Sequence, residues 1–327
     1  MSRNHGSVVV VDHGRVQVIG VDQPAWIPTF TGLSVRQFGK LVGIVRRRGA
    51  EQTGAGRRWG LSLDDRVLLV AVYYRTNLTL RQVALLFDIS KSAAGRVVEH
   101  LGPYLALSPV TRKHSPDTVL IVDGTLVPTH DRSRSASSKN YRYSTNLQVV
   151  IDANTRLTVA IGTPLPGNRN DCRAWRDSGV DQQCRGASVM ADGGYQGNPE
   201  VIMPYRKPTD GSELPAWKAD LNTVHKRVRA RVEHALAHMK SWNILRNCRR
   251  KRDGVYYAAR GVALMRNLAM THWTPANRPK TAHSPARHHN LIITGQPLVI
   301  QINTHNQPNI VEQSTERRRL RAIELRQ

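Results

Sequence analysis

The stretch Arg227-Val228-Arg229-Ala230-Arg231-Val232-Glu233-His234-Ala235-Leu236-Ala237-His238-Met239-Lys240 decides how the rest of the chain is read. Its apolar residues recur at helical spacing, and on a helix residues three, four or seven apart share one face. Arg229 and Glu233 are four apart, and Glu233 and Lys240 are seven apart. One carboxylate therefore points out of the helix between two cations. A surface ion-pair network has the same appearance and contributes little. Two aspartates upstream change the weighting. Asp123 follows the mostly apolar run Thr118–Val122, and Asp192 follows Ala187–Ala191; each is followed at once by glycine. Asp, Asp and Glu in that order, on two strand ends and a helix, form an oxygen-rich set suited to a hard divalent cation.

Composition bounds the partners. The chain has 327 residues, a prior for two or so domains. Hydrophobic content of 40% and charged content of 22% are ordinary for a globular chain. Lys+Arg of 48 against Asp+Glu of 24 leaves a formal net charge of +24, a field that draws polyanions: DNA, RNA or an acidic membrane surface. The membrane is the weakest of these, because no apolar stretch approaches the ~20 residues a spanning helix needs. The longest, Val67–Tyr74, has a helical core pattern. The N-terminus lacks the basic-then-apolar order of a signal peptide. Cys172, Cys184 and Cys248 are too few and too scattered for a disulfide framework or a Cys-x2-Cys zinc site, and fit a reducing cytoplasm. His234 and His238, four apart with Cys248 as the one thiol companion, form a zinc candidate; solvated or hydrogen-bonded histidines are commoner.

Four segments are expected. Residues 1–56 form an N-terminal extension, with Val8–Val11 and Val16–Val21 read as a hairpin and Leu33–Arg46 as a helix. Residues 57–110 form an all-α domain. Ser62 caps a first helix with Asp64 and Asp65 in its first turn, Thr79 caps a second, and Ser90 caps a third over Lys91–Leu105. Two helices joined by a tight turn, the second opening with Ser90-Lys91-Ser92, read as a helix-turn-helix. Lys91, Ser92 and Arg96 would then face a DNA groove, over a small core of Ala84, Leu85, Ile89, Val97 and Val98. An ordinary three-helix bundle is the plainer alternative.

Residues 115–274 switch to strand periodicity. Thr118–Val122, a hairpin of Leu147–Ile151 and Leu157–Ile161 about Asp152-Ala153-Asn154, Ala187–Ala191 and Val201–Met203 give five strands. A short helix spans Asn170–Asp177, and long ones span about Asn222–Asn247 and Gly254–Trp273. Such an order fits a mixed sheet with helices packed on it, an α/β architecture. Residues 275–327, rich in Pro, Asn, Gln, His and Thr, form a loosely ordered tail, with stray strands at Leu291–Thr294 and Leu298–Asn303 and a charged helix at Glu316–Gln327.

Phosphodiester cleavage needs charge stabilised on both the attacking and leaving oxygens, and two divalent ions held by carboxylates do this. The strands would fix Asp123 and Asp192, and Gly124 and Gly193-Gly194 would let a phosphate backbone approach. Taken singly, an Asp after an apolar strand is usually a turn former. Asp171, in Asn168-Arg169-Asn170-Asp171, is a further candidate, but reads first as the N-cap of the helix from Cys172. Lys139, Arg142 and Tyr143, and the run Arg249–Arg252 with Arg246, suit salt-dependent phosphate contacts; a charge run is more often a solvated face.

These residues carry a resemblance. Over roughly Ser62–Trp273 the chain resembles insertion-sequence transposases of the DDE superfamily, in the group near the Harbinger-type elements. Asp65-Arg66-Val67-Leu68 through Leu86-Phe87-Asp88-Ile89-Ser90 is similar to the helix-turn-helix that precedes such nuclease domains. Val122-Asp123-Gly124-Thr125 resembles the first catalytic block, and Pro166–Asp171 with Ala191-Asp192-Gly193-Gly194-Tyr195 the second region. Arg229, Glu233 and Lys240 match three of the four positions of a Tyr-x2-Arg-x3-Glu-x6-Lys motif; Lys226 stands where the Tyr would be. The resemblance implies a ribonuclease-H-like fold with a mixed five-stranded sheet and flanking helices. It places Asp123 and Asp192 side by side, with Glu233 brought in by the helix. It implies two divalent ions, Mg²⁺ or Mn²⁺, held by these three, and Arg229, Lys240 and Lys226 on phosphate. It implies hydrolysis at the element end that frees a 3′-hydroxyl, then attack by that hydroxyl on target DNA. The partners it implies are double-stranded terminal inverted repeats and target DNA, with no membrane, a place at the nucleoid, and room for a homodimer on DNA. Two rivals remain: a helix-turn-helix regulator that binds without cutting, and a metal-dependent endonuclease that hydrolyses without strand transfer.

Overall fold

The computed structural model describes residues 17–51, 58–109 and 113–271. The expected strand at Val8–Val11, the segment 52–57 and the tail from 275, with its strands and terminal helix, lie outside them. Gln17–Val21, the described part of the second hairpin strand, forms bends and turns instead.

Five helices come first. Trp26–Thr31 (α1) had no clear signal in the sequence. Val35–Arg47 (α2) opens with a capping box, in which Ser34 Oγ accepts from the Gln37 N–H and Gln37 returns a bond to the Ser34 N–H. Leu63–Thr76 (α3) is capped by Ser62 and buried on every side from Arg66 to Tyr74, as a helix with apolar residues all round must be. Leu80–Leu86 (α4) opens with a Thr79–Gln82 capping box, and Lys91–Leu105 (α5) with Ser90 accepting from the Ala93 N–H. Between them Asp88 takes the left-handed conformation, φ 47. All three expected caps are in use.

The small core of this turn differs from expectation at one residue. Val83, Ala84, Phe87, Ala94, Val97 and Val98 are buried, but Leu85 is 77% exposed. Helix α4 has seven residues and one face that meets α3 and α5. Val83, Ala84 and Phe87 occupy it, and Leu85 falls opposite.

The sheet follows, built from Val119–Pro128 (β1), Ser144–Asp152 (β2), Thr158–Ile161 (β3), Leu165–Pro166 (β4), Ser188–Met190 (β5) and Val201–Ile202 (β6). Its order is β3-β2-β1-β5-β6, with the two-residue β4 on β2 as a sixth, unforeseen strand. Strands β1, β2 and β3 pair antiparallel; β5 pairs parallel with β1, and β6 parallel with β5. Short helices Asp171–Asp177 (α6) and Val180–Gln183 (α7) lie between β4 and β5. Strand β1 runs six residues further than the sequence suggested, so Asp123 sits within it, opposite Val149, and not at its end.

Alternation along β1 sorts its residues onto two faces. Val119 and Ile121 pack with Val232 and Ala235 of the 25-residue helix Ala216–Lys240 (α8). Leu120 and Val122 pack on the other face with Trp175, Val180 and Tyr195. Helix α8 begins six residues earlier than expected and stops at Lys240, where a 3₁₀ turn at Asn243–Leu245 takes over. The last described helix is Gly254–Met270 (α9). It packs on α5, α2 and β3, so residues of α1–α5, the sheet edge, the end of α8 and α9 share one apolar cluster. At the contact a Cβ on Gly261 would stand 3.2 Å from the Tyr74 ring, and one on Gly102 3.4 Å from Tyr257 Cβ.

Candidate active site

The parallel register of β1 and β5 sets the two aspartates. Ile121 pairs with Met190, and the same step two residues on sets Asp123 level with Asp192 at the start of the turn after β5. There Asp192 Oδ1 accepts from the Gly194 N–H at 2.8 Å. By alternation Asp123 shares the face of Ile121, and that face is covered by α8. The Arg229 guanidinium on α8 reaches across with Nη1 3.5 Å from Asp123 Oδ2, while its Nη2 pairs with Glu233 one turn on. Arg229 and Asp123 are largely sheltered, with side chains 22% and 17% exposed, but Glu233 is 51% exposed. Lys240 also feels Asp123. Burial lowers its pKa, the Asp123 charge works in the opposite direction, and Arg246 adds to the lowering.

The structure thus brings Asp123, Asp192, Arg229 and Lys240 together and turns Glu233 toward Arg229. It leaves Lys226 exposed on α8, one turn before Arg229. Lys139 and Arg142 are exposed on the segment between β1 and β2, where Arg142 stands over the Tyr143 ring at 5.5 Å. Lys139 lines a cavity of about 470 Å³ with Thr125, Asn168, Arg169 and Asp171 beside the carboxylates. Lys91, Ser92 and Arg96 are exposed at the start of α5. Lys91 also lines a cleft of about 650 Å³ that faces Arg249, Arg250, Lys251 and Arg252.

Two expectations need correction. Asp171 does not cap α6: Asn170 does, its Oδ1 accepting from the Arg173 N–H at 3.0 Å. Asp171 occupies the next position and turns inward to Asn146 and Gln148. Nor does Gly124 leave space for a phosphate backbone. A Cβ there would meet Asp171 Oδ1 at 2.0 Å, so the glycine makes room for a side chain of the protein itself. Gln148 and Tyr195 stand beside these carboxylates, and the sequence reading gave neither of them a role. Both are fully buried, and the Tyr195 hydroxyl donates to Gln148 Oε1. A lone glutamine inside the apolar strand Leu147–Ile151 was the available signal.

Electrostatics mark the same spot. Burial pushes Asp123 up to about 6; Arg229 opposes the rise, and the Asp192 and Asp171 charges add to it. Crowded negative charge of this kind, made entirely of carboxylate oxygens, suits a hard divalent cation. Among the described residues no three His, Cys, Asp or Glu side chains converge closely enough to ligate one ion as they stand. Two carboxylates with water completing the shell suffice for Mg²⁺, and Asp123 and Asp192 are the pair that could supply them. The zinc candidate has no such support, since His234, His238 and Cys248 do not come together as a metal-holding group. Among the described residues no helix is long and apolar enough to cross a membrane.

Comparison with known proteins agrees with this geometry. The family model described as a transposase DDE domain matches residues 114–268. The one described as the helix-turn-helix of DDE superfamily endonucleases matches residues 59–111. A Streptomyces albus G protein assigned as a transposase for insertion sequence element IS112 is 58% identical over 254 residues, covering 78% of this chain and 98% of that protein. A Microchaete diplosiphon protein assigned as a transposase for insertion sequence element IS702 is 28% identical over 239 residues, covering 68% and 86%. The helical N-terminal region with its capped helix-turn-helix and the mixed sheet after it coincide with the two matched models, and the identity to the Streptomyces albus G protein extends over most of both chains; the chain belongs to the DDE-superfamily insertion-sequence transposases.

Proposed function

We propose that this transposase binds the inverted repeats of its element through α5, cuts the DNA there, and joins the freed 3′-hydroxyl to target DNA. The observation that carries the reading is the position of Asp123, level with Asp192 across β1 and β5 and bound through Arg229 to the helix that bears Glu233. Asp123, Asp192 and Glu233 would hold Mg²⁺ or Mn²⁺. Such ions, when bound, offset the charge that builds on the attacking and leaving oxygens of an in-line displacement.

The chain's own residues do the positioning. Asp123 and Asp192 are fixed by strand register, which costs no reorganisation when substrate arrives. Arg229, freed from Asp123 when a cation takes over that charge, would turn to a non-bridging phosphate oxygen, and Lys240 would hold a second. Lys226, Lys139 and Arg142 would follow the DNA backbone on either side, giving salt-dependent affinity without sequence choice. Lys91, Ser92 and Arg96 project from the first turns of α5, where a recognition helix reads base edges. A homodimer on DNA would supply one active site per element end.

The test is cutting of a labelled element end with Mg²⁺ by wild type, Asp192→Asn and Glu233→Gln. Loss of cutting in both variants with DNA binding retained is expected. Equal cutting by all three would overturn the carboxylate roles. Binding by wild type without cutting would favour the regulator, and cutting without a joined product would favour the plain endonuclease.

A further inference from the structure

The run Arg249-Arg250-Lys251-Arg252 stands where a helix least favours cations. It leads into α9, and the start of a helix carries partial positive charge that favours acids. A Cβ on Gly254, the first residue of α9, would meet Arg250 Cβ at 2.2 Å and stand 3.3 Å from Arg250 Nε. Arg250 therefore lies against the positive end of the helix. Asp253, placed to cap that end, makes no cap bond and pairs with Arg134 at 3.4 Å instead. Among the described residues none of the four cations makes an ion pair.

A solvated charge run needs no fixed backbone, but this one is tied to the segment that follows β1. The Cys248 N–H bonds to Pro128 O at 2.8 Å, the His130 N–H to Cys248 O at 2.9 Å, and the Arg252 N–H to Asp131 Oδ2 at 2.5 Å. The loop so held lines the cleft of about 650 Å³, together with Lys91, Glu99 and Gly102 of α5. Tyr74 of α3 lines it too, although it is only 2% exposed. A Cβ on Gly102 would stand 3.6 Å from the Tyr74 hydroxyl, and among the described residues that hydroxyl has no hydrogen-bond partner. A buried phenol without a partner is costly. The Arg250 charge reaches it, opposing the rise in pKa that burial imposes.

An uncapped helix start, four unpaired cations and an unsatisfied hydroxyl thus meet at one cleft. One kind of group satisfies all three, an oxyanion. Of the two acids on the walls, Glu99 is exposed and Asp253 is already paired, so the balance is positive. Lys91 opens α5, so a duplex held by that helix has its sugar-phosphate backbone beside the cleft.

We propose that this cleft seats a backbone phosphate of the element-end DNA, gripped by Arg249–Arg252, the start of α9 and the Tyr74 hydroxyl. The inference rests on the reading of α5 as the DNA-binding helix. It makes the DNA-binding surface a joint one, because residues beyond α8 hold the same duplex as the helix-turn-helix.

The experiment is binding of the full chain to a fluorescent element-end duplex, by anisotropy over a series of salt concentrations. The chains are wild type, a combined variant (Arg249→Gln, Arg250→Gln, Lys251→Gln and Arg252→Asn), Tyr74→Phe and Arg96→Ala. Asn suits the left-handed backbone of Arg252, φ 54. The combined variant should bind about 10-fold more weakly or worse, its log–log salt slope lowered by about 1 for each cation that meets a phosphate. Tyr74→Phe should lose about 5-fold at an unchanged slope, the worth of one hydrogen bond. A single methylphosphonate, which removes the charge of one phosphate, should at particular positions weaken wild type and leave the combined variant unaffected.

Wild-type affinity and slope in the combined variant, with Arg96→Ala weakened, would overturn the inference and leave the reading of α5 standing. Wild-type affinity in both would overturn both. A weakened combined variant that keeps the wild-type methylphosphonate pattern would show that the charges act only as a distant field, and would also overturn it. So would wild-type affinity in Tyr74→Phe. Should the combined variant fail to fold, Arg249→Gln and Lys251→Gln singly, both at exposed positions, should each lower the slope by about 1, and unchanged slopes in both would count against the seat.

Discussion

The Arg229 guanidinium stands 3.5 Å from the Asp123 carboxylate, across the gap between α8 and β1. It is the only cation ion-paired to that carboxylate among the described residues, and it is shared with Glu233. The buried negative charge of the site is therefore only partly matched within the protein, and the mismatch is measurable.

The first prediction follows from Asp123. Burial, reinforced by Asp192 and Asp171, raises its pKa to about 6 despite Arg229. A raised group keeps its proton longer in the folded chain than in the unfolded one. The stability tied to it is fully present below about pH 4 and is lost as pH rises through about 6. Two pH units correspond to about 3 kcal/mol. Without divalent metal, Asp123→Asn should therefore be more stable than wild type by up to about 3 kcal/mol at pH 7 and no more stable at pH 4. Urea denaturation across this range checks it; parallel stability curves would refute it.

Gly124 supplies the second. Gly124→Ala forces its methyl onto Asp171 Oδ1 and to 2.7 Å from Gln148 Nε2. Overpacking of this kind costs about 1–3 kcal/mol. Stability and single-turnover cutting should both fall. Asp171→Ala in the same chain should relieve part of the stability loss. A double-mutant cycle measures the coupling, and strictly additive stabilities would show that the two residues do not meet.

The helix-turn-helix reading is tested by salt. Arg96→Ala and Lys91→Ala should weaken binding to the element end, each lowering the log–log salt slope by about 1 if its contact is to phosphate. A residue that reads a base edge should instead relax sequence preference at an unchanged slope. Affinity unchanged at every salt concentration would remove α5 from the interface.

The fourth prediction concerns the shared core. Gly261→Val drives a branched side chain into the Tyr74 ring, already 3.2 Å from the Cβ position, at a cost of about 1–3 kcal/mol. Because α9 and the N-terminal helices lie in one cluster, the whole described body should lose that stability in one transition, with tryptophan fluorescence and far-ultraviolet dichroism falling together. Two separated transitions would show that the helical region melts alone.

Much of this was legible in the sequence because the deciding signals are local. Ser62, Thr79 and Ser90 announce their helices through side chains that accept from the N–H three residues ahead. The alternation of Val119–Val122 and the spacing of Arg229, Glu233 and Lys240 give faces without knowledge of partners. What was hidden depends on contacts distant in sequence. Strand β1 looks finished at Asp123-Gly124, yet it continues because β2 offers a partner as far as Ser144. Asp171 looked like a cap because Asn170, one residue earlier, is equally able to cap, and only Gln148 and Asn146, more than twenty residues upstream, break the tie. Leu85 looked like core by composition, but a seven-residue helix is too short to bury more than one face.

The packing of α9 against α3 and α5 also bears on how the protein is made. The helices that carry Lys91 and Arg96 are synthesised well over a hundred residues before Gly254–Met270, yet part of the apolar surface they must bury is on that last helix. Domains generally fold as units while they emerge from the ribosome, N-terminal part first, but this one has to wait for residues near the end of its catalytic half. A ribosome-bound chain halted before Gly254 should therefore be open to protease across α3–α5, and one halted beyond Met270, once clear of the exit tunnel, should be closed to it. The helix-turn-helix would then be completed only after the sheet that follows it in the chain.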